Sequence, residues 1–154
     1  MISNATALIC LSKINKIELL RKVHSAIIIP SAVKAEILIE GKEGYASINN
    51  AIKNGWIRVI EPKKDINLGL GKGETQAISL AMERRDSIIL DDAVAIKAAK
   101  ALNISVARTT TVVFTALKKK IITKAQAPSI LNQLIENGYY ISTKDYAALI
   151  SMLK

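Results

Sequence analysis

The chain has 154 residues, half of them hydrophobic, and a formal net charge of +9, so it can bury one core and is too apolar to be disordered. A single cysteine, Cys10, excludes an internal disulfide and favours a reducing, cytoplasmic setting, and a single histidine, His24, leaves zinc chemistry and Ser-His or Cys-His catalysis without their usual groups. No apolar stretch approaches the roughly 20 residues of a membrane span, and the first residues lack the basic leader of a signal peptide.

Short apolar runs rich in β-branched residues alternate with helix-patterned segments, which predicts parallel strands covered on both faces. The predicted strands are 1–3, 26–29, 56–60, 87–90 and 104–107. After the first strand a helical pattern breaks between Leu11 and Ile17, and Pro30 ends the second strand and begins a helix. Later helices are predicted over 43–53, 74–85, 110–121, 124–137 and 143–153. This alternation predicts a single three-layer α/β domain over residues 1–154, with a mostly parallel five-stranded sheet.

Acidic or acid-like residues stand where predicted strands end or helices begin. Glu74, for example, is followed by Ala77, Ile78 and Ala81 at helical spacing, so its side chain should point inward with that apolar stripe. Parallel sheets bind ligands beyond the carboxyl ends of their strands, where such residues would converge. Because unpaired buried carboxylates are costly, a shared cation is the simplest single explanation. The candidate residues are Asn4, Glu36, Glu74, Asp91 and Asp92.

Each candidate also has an ordinary structural explanation. Asp92 is suited to cap a helix, Glu74 is a favourable charge beside a helix N-terminus, and Asn4 is a common turn residue. Glu36 can form a surface ion pair with Lys34 or Lys53. The glycines around Glu74 do not predict a phosphate loop, because the segment lacks a Lys-Ser/Thr pair and places a carboxylate where the phosphate would bind.

Basic residues are spread along the whole chain. This excess predicts a polyanionic partner, most simply nucleic acid, although any single basic run can equally solvate a helix face. Tyr139 and Tyr140 can either stack on bases or pack against the protein, and the sequence leaves both readings open.

Several stretches of the chain follow a familiar order. They are Ser-Asn-Ala-Thr-Ala-Leu-Ile at 3–9, Pro-Ser-Ala-Val-Lys-Ala-Glu-Ile at 30–37, Gly-Lys-Gly-Glu-Thr-Gln-Ala-Ile at 71–78 and Leu-Asp-Asp-Ala-Val-Ala at 90–95, with the trailing segment 108–120. In this order they resemble the PIN domain family of metal-dependent ribonucleases, in particular its mostly prokaryotic branch related to VapC-type toxins. The resemblance implies the strand order 3-2-1-4-5, with the acids of the first and fourth strands facing each other.

The resemblance also implies an activity. It implies an endoribonuclease that cleaves single-stranded RNA with Mg²⁺ or Mn²⁺ bound by the five candidates above, of which Glu36, Glu74, Asp91 and Asp92 would be catalytic. Thr6 or Thr109 would position water or phosphate. A cognate antitoxin and a second copy of the chain are the partners that the resemblance implies.

The chain departs from the family pattern at two positions. Asn4 stands where the family usually has Asp, and an Asn offers a carbonyl oxygen to a cation but carries no charge and cannot act as a base. Arg108 stands where the branch usually has Gly, and it would either block the site or bind a phosphate. A second hypothesis is therefore a catalytically lapsed PIN-like module that binds RNA or a partner protein.

Overall fold

The computed structural model of the chain describes residues 1–154 and contains five short strands. They are β1 (Ile2–Ser3), β2 (Ile27–Ile29), β3 (Ile57–Val59), β4 (Ile88–Ile89) and β5 (Val106–Ala107). All four neighbouring pairs are parallel, and the sheet order is β3-β2-β1-β4-β5. The predicted α/β class, the parallel five-stranded sheet and its order are therefore confirmed.

Helices fill the connections between the strands and the end of the chain. They are α1 (Ala5–Lys13), α2 (Glu18–His24), α3 (Ser31–Ile37), α4 (Tyr45–Lys53), α5 (Lys72–Arg84), α6 (Ala93–Ala101), α7 (Thr109–Lys118), α8 (Gln126–Glu136) and α9 (Thr143–Met152). No helix is both long enough and apolar enough to cross a lipid bilayer.

The central strands are covered on both faces. Successive residues of a strand point to opposite faces, and every residue of β1, β2 and β4 is buried. Helix α1 contacts α3 and α4, and α3 contacts α5, whereas α2 contacts α7 and α7 contacts α8. This packing explains why the strands have continuous apolar runs instead of an alternating pattern.

Several observed boundaries differ from the predicted ones. Each of the strands is shorter than predicted, because pairing is limited to two or three residues. Helix α5 begins at Lys72 and not at Glu74, since Gly71 has extended dihedral angles (φ −58°, ψ 158°) and serves as its N-cap. The break between α1 and α2 contains Asn15 in the left-handed region, at φ 56°.

The C-terminal helices pack to different depths. In α8, Leu131 and Leu134 are buried as expected of core positions, but Ile135 is 38% exposed. Helix α9 has no buried residue and meets the core through Leu149 and Leu153, which are only partly buried. In α8, the core therefore includes Leu131 and Leu134 but not Ile135.

The basic loop between β3 and α5 is attached to the outer side of α5. The Glu83 carboxylate accepts hydrogen bonds from the backbone N–H groups of Lys63 and Lys64, each at 3.0 Å. The backbone N–H of Ile66 donates to Ser79 Oγ at 2.9 Å. These bonds fix the loop that leads into Gly71 and hence the start of α5.

We expect the substitution Leu8→Ala to destabilise the protein by about 2–5 kcal/mol, because Leu8 is fully buried in α1 and its loss leaves a cavity. Urea unfolding measures this change. Met82→Ala is the matched control: Met82 is 46% exposed, so its replacement should change stability by no more than about 0.5 kcal/mol. Equal effects of the two substitutions would contradict the described packing.

Candidate active site

The sheet brings the ends of β1 and β4 side by side. Ser3 pairs with Ile89, and the backbone N–H of Asn4 donates to the Ile89 carbonyl oxygen at 3.1 Å. Asn4 directly follows β1, and Asp91 and Asp92 follow β4 after a single leucine. The candidate residues of the first and fourth strands therefore meet at the carboxyl edge of the sheet.

Asn4 holds an unbonded oxygen inside this edge. It occupies the N-cap position of α1 but its side chain makes no capping hydrogen bond, unlike most asparagines at that position. The residue is 7% exposed, and its Oδ1 atom is buried without a hydrogen-bond partner. An unsatisfied buried oxygen is costly, and a carbonyl oxygen is a ligand that hard divalent cations accept.

Glu74 lies close to two other carboxylates. It is half-buried in the first turn of α5. Burial raises the pKa of the Glu74 carboxyl above its ordinary value, and the negative charges of Asp92 and Glu36 raise it further. The structure therefore brings Glu36, Glu74 and Asp92 into one electrostatic cluster.

The carboxyl of Glu36 lies in this cluster because Gly73 has no side chain. A Cβ atom on Gly73 would collide with Oε1 of Glu36, so only a residue without a side chain leaves room for the carboxyl at this place. Although Glu36 is largely exposed, partial burial of its carboxyl raises the pKa above its ordinary value. The packing of α3 on α5 thus places the two glutamates side by side.

Asp91 is held by three neutral donors. The hydroxyl of Thr109 donates to Oδ2 at 2.6 Å, and the backbone N–H of Thr109 donates to Oδ1 at 3.1 Å. The hydroxyl of Tyr139 donates to Oδ1 at 2.6 Å. These bonds orient the carboxylate but do not neutralise it. Thr109 is fully buried, so its hydroxyl contacts Asp91 and is not accessible to solvent.

Asp92 is the N-cap residue of α6, as the structural explanation predicts. Its Oδ2 atom accepts a hydrogen bond from the backbone N–H of Ala95 at 2.9 Å, as an N-cap residue should. The residue is exposed, and no hydrogen bond within the chain engages Oδ1. Asp92 therefore caps α6 and still presents one oxygen to the edge.

None of these carboxylates pairs with a lysine or an arginine. The chain contains two salt bridges, from Asp86 to the Met1 amino group and from Glu18 to Arg21. The surface pair of Glu36 with Lys34 or Lys53 is therefore not formed. In a chain of net charge +9, these acids therefore lie at the edge of the sheet without a basic partner.

Two further candidates lie near this edge. Thr6 is half-buried in the first turn of α1, and no other residue of the chain bonds to its hydroxyl. Arg108 is exposed at the N-cap position of α7, next to Thr109. Its guanidinium forms no salt bridge, so its positive charge is available to an anion.

In the arrangement described here, no three Asp, Glu, His or Cys side chains lie close enough together to coordinate one ion. Asp91 is turned toward Thr109 and Tyr139, whereas the charges of Glu36 and Asp92 act on Glu74. Coordination of one ion by three or more carboxylates therefore requires side-chain rotation from this arrangement.

Sequence reasoning missed two contributors to this edge. Tyr139 is predicted only as a stacking or packing residue, and no sequence signal links it to Asp91, which lies 48 residues earlier. Gly73 has a weak signal, because a glycine directly before an acid in the first turn of a helix lowers helix stability without an evident turn requirement.

Comparisons with known proteins identify the family and the fold of the chain. The family model that matches this chain is DUF3368, described as PIN domain, and the match covers residues 1–154. Among solved structures, the chain is similar to a PilT N-terminus domain protein from the hyperthermophilic archaeon Sulfolobus solfataricus P2. The two share 20% sequence identity at a TM-score of 0.55, over 76% of this chain and 94% of the archaeal chain. At this identity the likeness shows the fold alone. No curated protein matches the chain.

We expect Glu74→Gln to raise the melting temperature of the metal-free protein by about 1–2 °C. The raised pKa of Glu74 means that the folded state resists its ionisation, so the charged form destabilises the fold at neutral pH and removal of the charge relieves this cost. Thermal unfolding in chelator at pH 7 measures the change.

Glu83→Gln is the control on the same helix and should act in the opposite direction. Hydrogen bonds from the backbone N–H groups of Lys63 and Lys64 lower the pKa of Glu83, so its ionised form stabilises the fold at neutral pH. A fall in melting temperature for Glu74→Gln would contradict the repulsion described above.

Proposed function

Because this chain belongs to the PIN domain family, we propose that it is a divalent-metal-dependent endoribonuclease that cleaves single-stranded RNA. The observation that carries this proposal is the group of unpaired carboxylates at the carboxyl edge of the sheet, in a chain whose other charges are mostly positive. Acids without basic partners suit a cation site, and the excess of lysine and arginine suits a polyanionic substrate.

The proposed ion is Mg²⁺ or Mn²⁺, and its proposed ligands all offer oxygen, which hard divalent cations prefer. Those ligands are Asn4, Glu36, Glu74, Asp91 and Asp92. The buried, unbonded Oδ1 of Asn4 supports its inclusion. When bound, such an ion neutralises charge on the phosphate and lowers the pKa of a water molecule. Thr109 and Tyr139 hold Asp91 in place for this role.

Substrate positioning is proposed for residues that border the acids. The free hydroxyl of Thr6 is suited to bond water or a phosphate oxygen, and the unpaired guanidinium of Arg108 is suited to bind a phosphate. Thr109 supports the site through Asp91.

We further propose that the protein is the toxin of a toxin–antitoxin pair, with a small cognate antitoxin as partner and a homodimer as its assembled state. This part of the proposal is supported only by the resemblance of the sequence to the VapC-related branch. Co-purification with the product of an adjacent gene and measurement of the molar mass in solution test the two partners separately.

A second candidate function is a catalytically lapsed module that binds RNA without cleaving it. Two observations favour it: Asn4 lacks the charge of the usual Asp, and no three carboxylates are arranged around one point. The two functions differ in their dependence on metal, since binding by basic residues alone depends on salt and not on a divalent ion.

We expect purified protein to cleave labelled single-stranded RNA with Mn²⁺ or Mg²⁺ and to stop in chelator. Glu74→Gln should lower the rate by about 100-fold or more, because it removes a proposed ligand, and Asn4→Asp should raise it by restoring a negative charge. Glu40→Gln, which removes an exposed acid in the turn after α3, is the control and should leave the rate unchanged. RNA binding without cleavage, with or without metal, would instead favour the lapsed module.

Substitutions at two neighbouring glycines test the role of Glu36 in metal binding without unfolding the protein. Gly73→Ala should displace the Glu36 carboxyl and weaken Mn²⁺ binding by about 10-fold, while the fold persists because alanine favours the helix. Gly71→Ala meets no atom within 4 Å and should leave Mn²⁺ affinity unchanged. Titration calorimetry with Mn²⁺ measures both, and equal affinities would remove Glu36 from the proposed ligands.

A further inference from the structure

A cavity of about 310 Å³ opens beside the acidic edge. Its walls come from the start of α7, from the segment 139–141 and from residues 145–149 of α9. The lining residues that matter here are Arg108, Thr110, Tyr139, Tyr140, Asp145 and Leu149.

This cavity adjoins the carboxylates directly. Tyr139 lines the cavity with part of its side chain and donates its hydroxyl to Asp91 at 2.6 Å. Thr109, which makes the other two hydrogen bonds to Asp91, lies between Arg108 and Thr110 of the cavity wall. A polymer bound at the acidic edge can therefore place its neighbouring unit in the cavity.

The size and lining of the cavity fit a single flat group. Ligand pockets in proteins begin at roughly 300 Å³, so this one accepts a nucleobase but is small for a folded protein segment. Tyr140 is 85% exposed and presents an aromatic ring at the rim, although Tyr139 beside it is buried. Exposed aromatic rings of this kind stack on bases irrespective of sequence.

The two charged residues of the cavity, Arg108 and Asp145, suit different parts of a nucleotide. Arg108 is exposed, has no carboxylate partner and directly precedes Thr109, which bonds to Asp91, so it suits a phosphate between the cavity and the acidic edge. Asp145 on α9 also lacks a basic partner and would repel a phosphate inside the cavity. A carboxylate there instead accepts a hydrogen bond from the N–H edge of a base.

We propose that this cavity is a nucleotide subsite for the single-stranded RNA substrate, in which Tyr140 stacks on one base, Arg108 binds the adjoining phosphate and Asp145 accepts from the edge of the base. The inference rests on the proposed function, because its occupant is the strand that is to be cleaved. It assigns a binding role to the start of α9, which contributes no buried residue to the core.

The test is the affinity of a short labelled single-stranded RNA, measured by fluorescence anisotropy in chelator so that no cleavage occurs. Tyr140→Ala should raise Kd by about 5- to 100-fold, the range produced by loss of one base–aromatic stack. Tyr140→Phe keeps the ring and should stay within about twofold of the unsubstituted protein. Arg108→Ala should weaken binding and lower the slope of log Kd against log salt by about 1.

Two controls remove a charged and an exposed apolar side chain outside the cavity. Arg84→Ala, in the last turn of α5, removes an equal charge away from the cavity and should leave the salt slope unchanged. Met152→Ala removes a 69% exposed apolar side chain from α9 outside the cavity and should leave Kd unchanged. Because Tyr140 is itself exposed, its replacement should not alter the melting temperature.

The outcomes separate the subsite from the proposed activity. Binding that depends on Tyr140 and Arg108 supports the subsite even if no metal supports cleavage. Metal-dependent cleavage with unchanged Kd and KM in Tyr140→Ala and Arg108→Ala would retain the nuclease and overturn the subsite. Failure of the unsubstituted protein to bind RNA at low salt would overturn it as well.

Discussion

Repulsion between carboxylates at one edge of a parallel sheet is the constraint on which the rest of this structure depends. The order of the sheet places β1 beside β4, and the packing of α3 on α5 adds two glutamates to the same edge. No lysine or arginine compensates these charges, so the buried core must hold them in place. Natural proteins retain such an unfavourable arrangement where it serves a function, because each unpaired acid costs stability.

Two different features position the acids at this edge of the sheet. Asp91 is oriented by neutral hydroxyl and amide donors from Thr109 and Tyr139, which fix the carboxylate and leave its charge intact. Glu36 and Glu74 have no such donors from other side chains, and the place of the Glu36 carboxyl depends on the absence of a side chain at Gly73. Hydrogen bonds from neighbouring residues therefore orient Asp91, whereas no side-chain donor orients Glu36 or Glu74.

The sequence was sufficient to predict the fold, but not the geometry of the candidate site. Apolar runs with β-branched residues identified all five strands, because burial on both faces imposes that pattern. The link between Tyr139 and Asp91 could not be predicted, since it depends on how the segment after α8 returns to the sheet. Helical spacing alone could not show that Ile135 lies outside the core, because it does not reveal whether a covering element exists.

The two departures from the family pattern have the same electrostatic direction. Asn4 removes a negative charge from the acidic edge, and Arg108 adds a positive charge beside it. Both changes weaken the attraction of the edge for cations and strengthen its attraction for phosphate. The proposed RNA binding should therefore depend less on a bound metal ion than it would with Asp and Gly at these positions. A subsite formed by Arg108 and Tyr140 consequently serves a nuclease and a lapsed binding module equally well, and the number of oxygen ligands that can still converge at the edge decides between them.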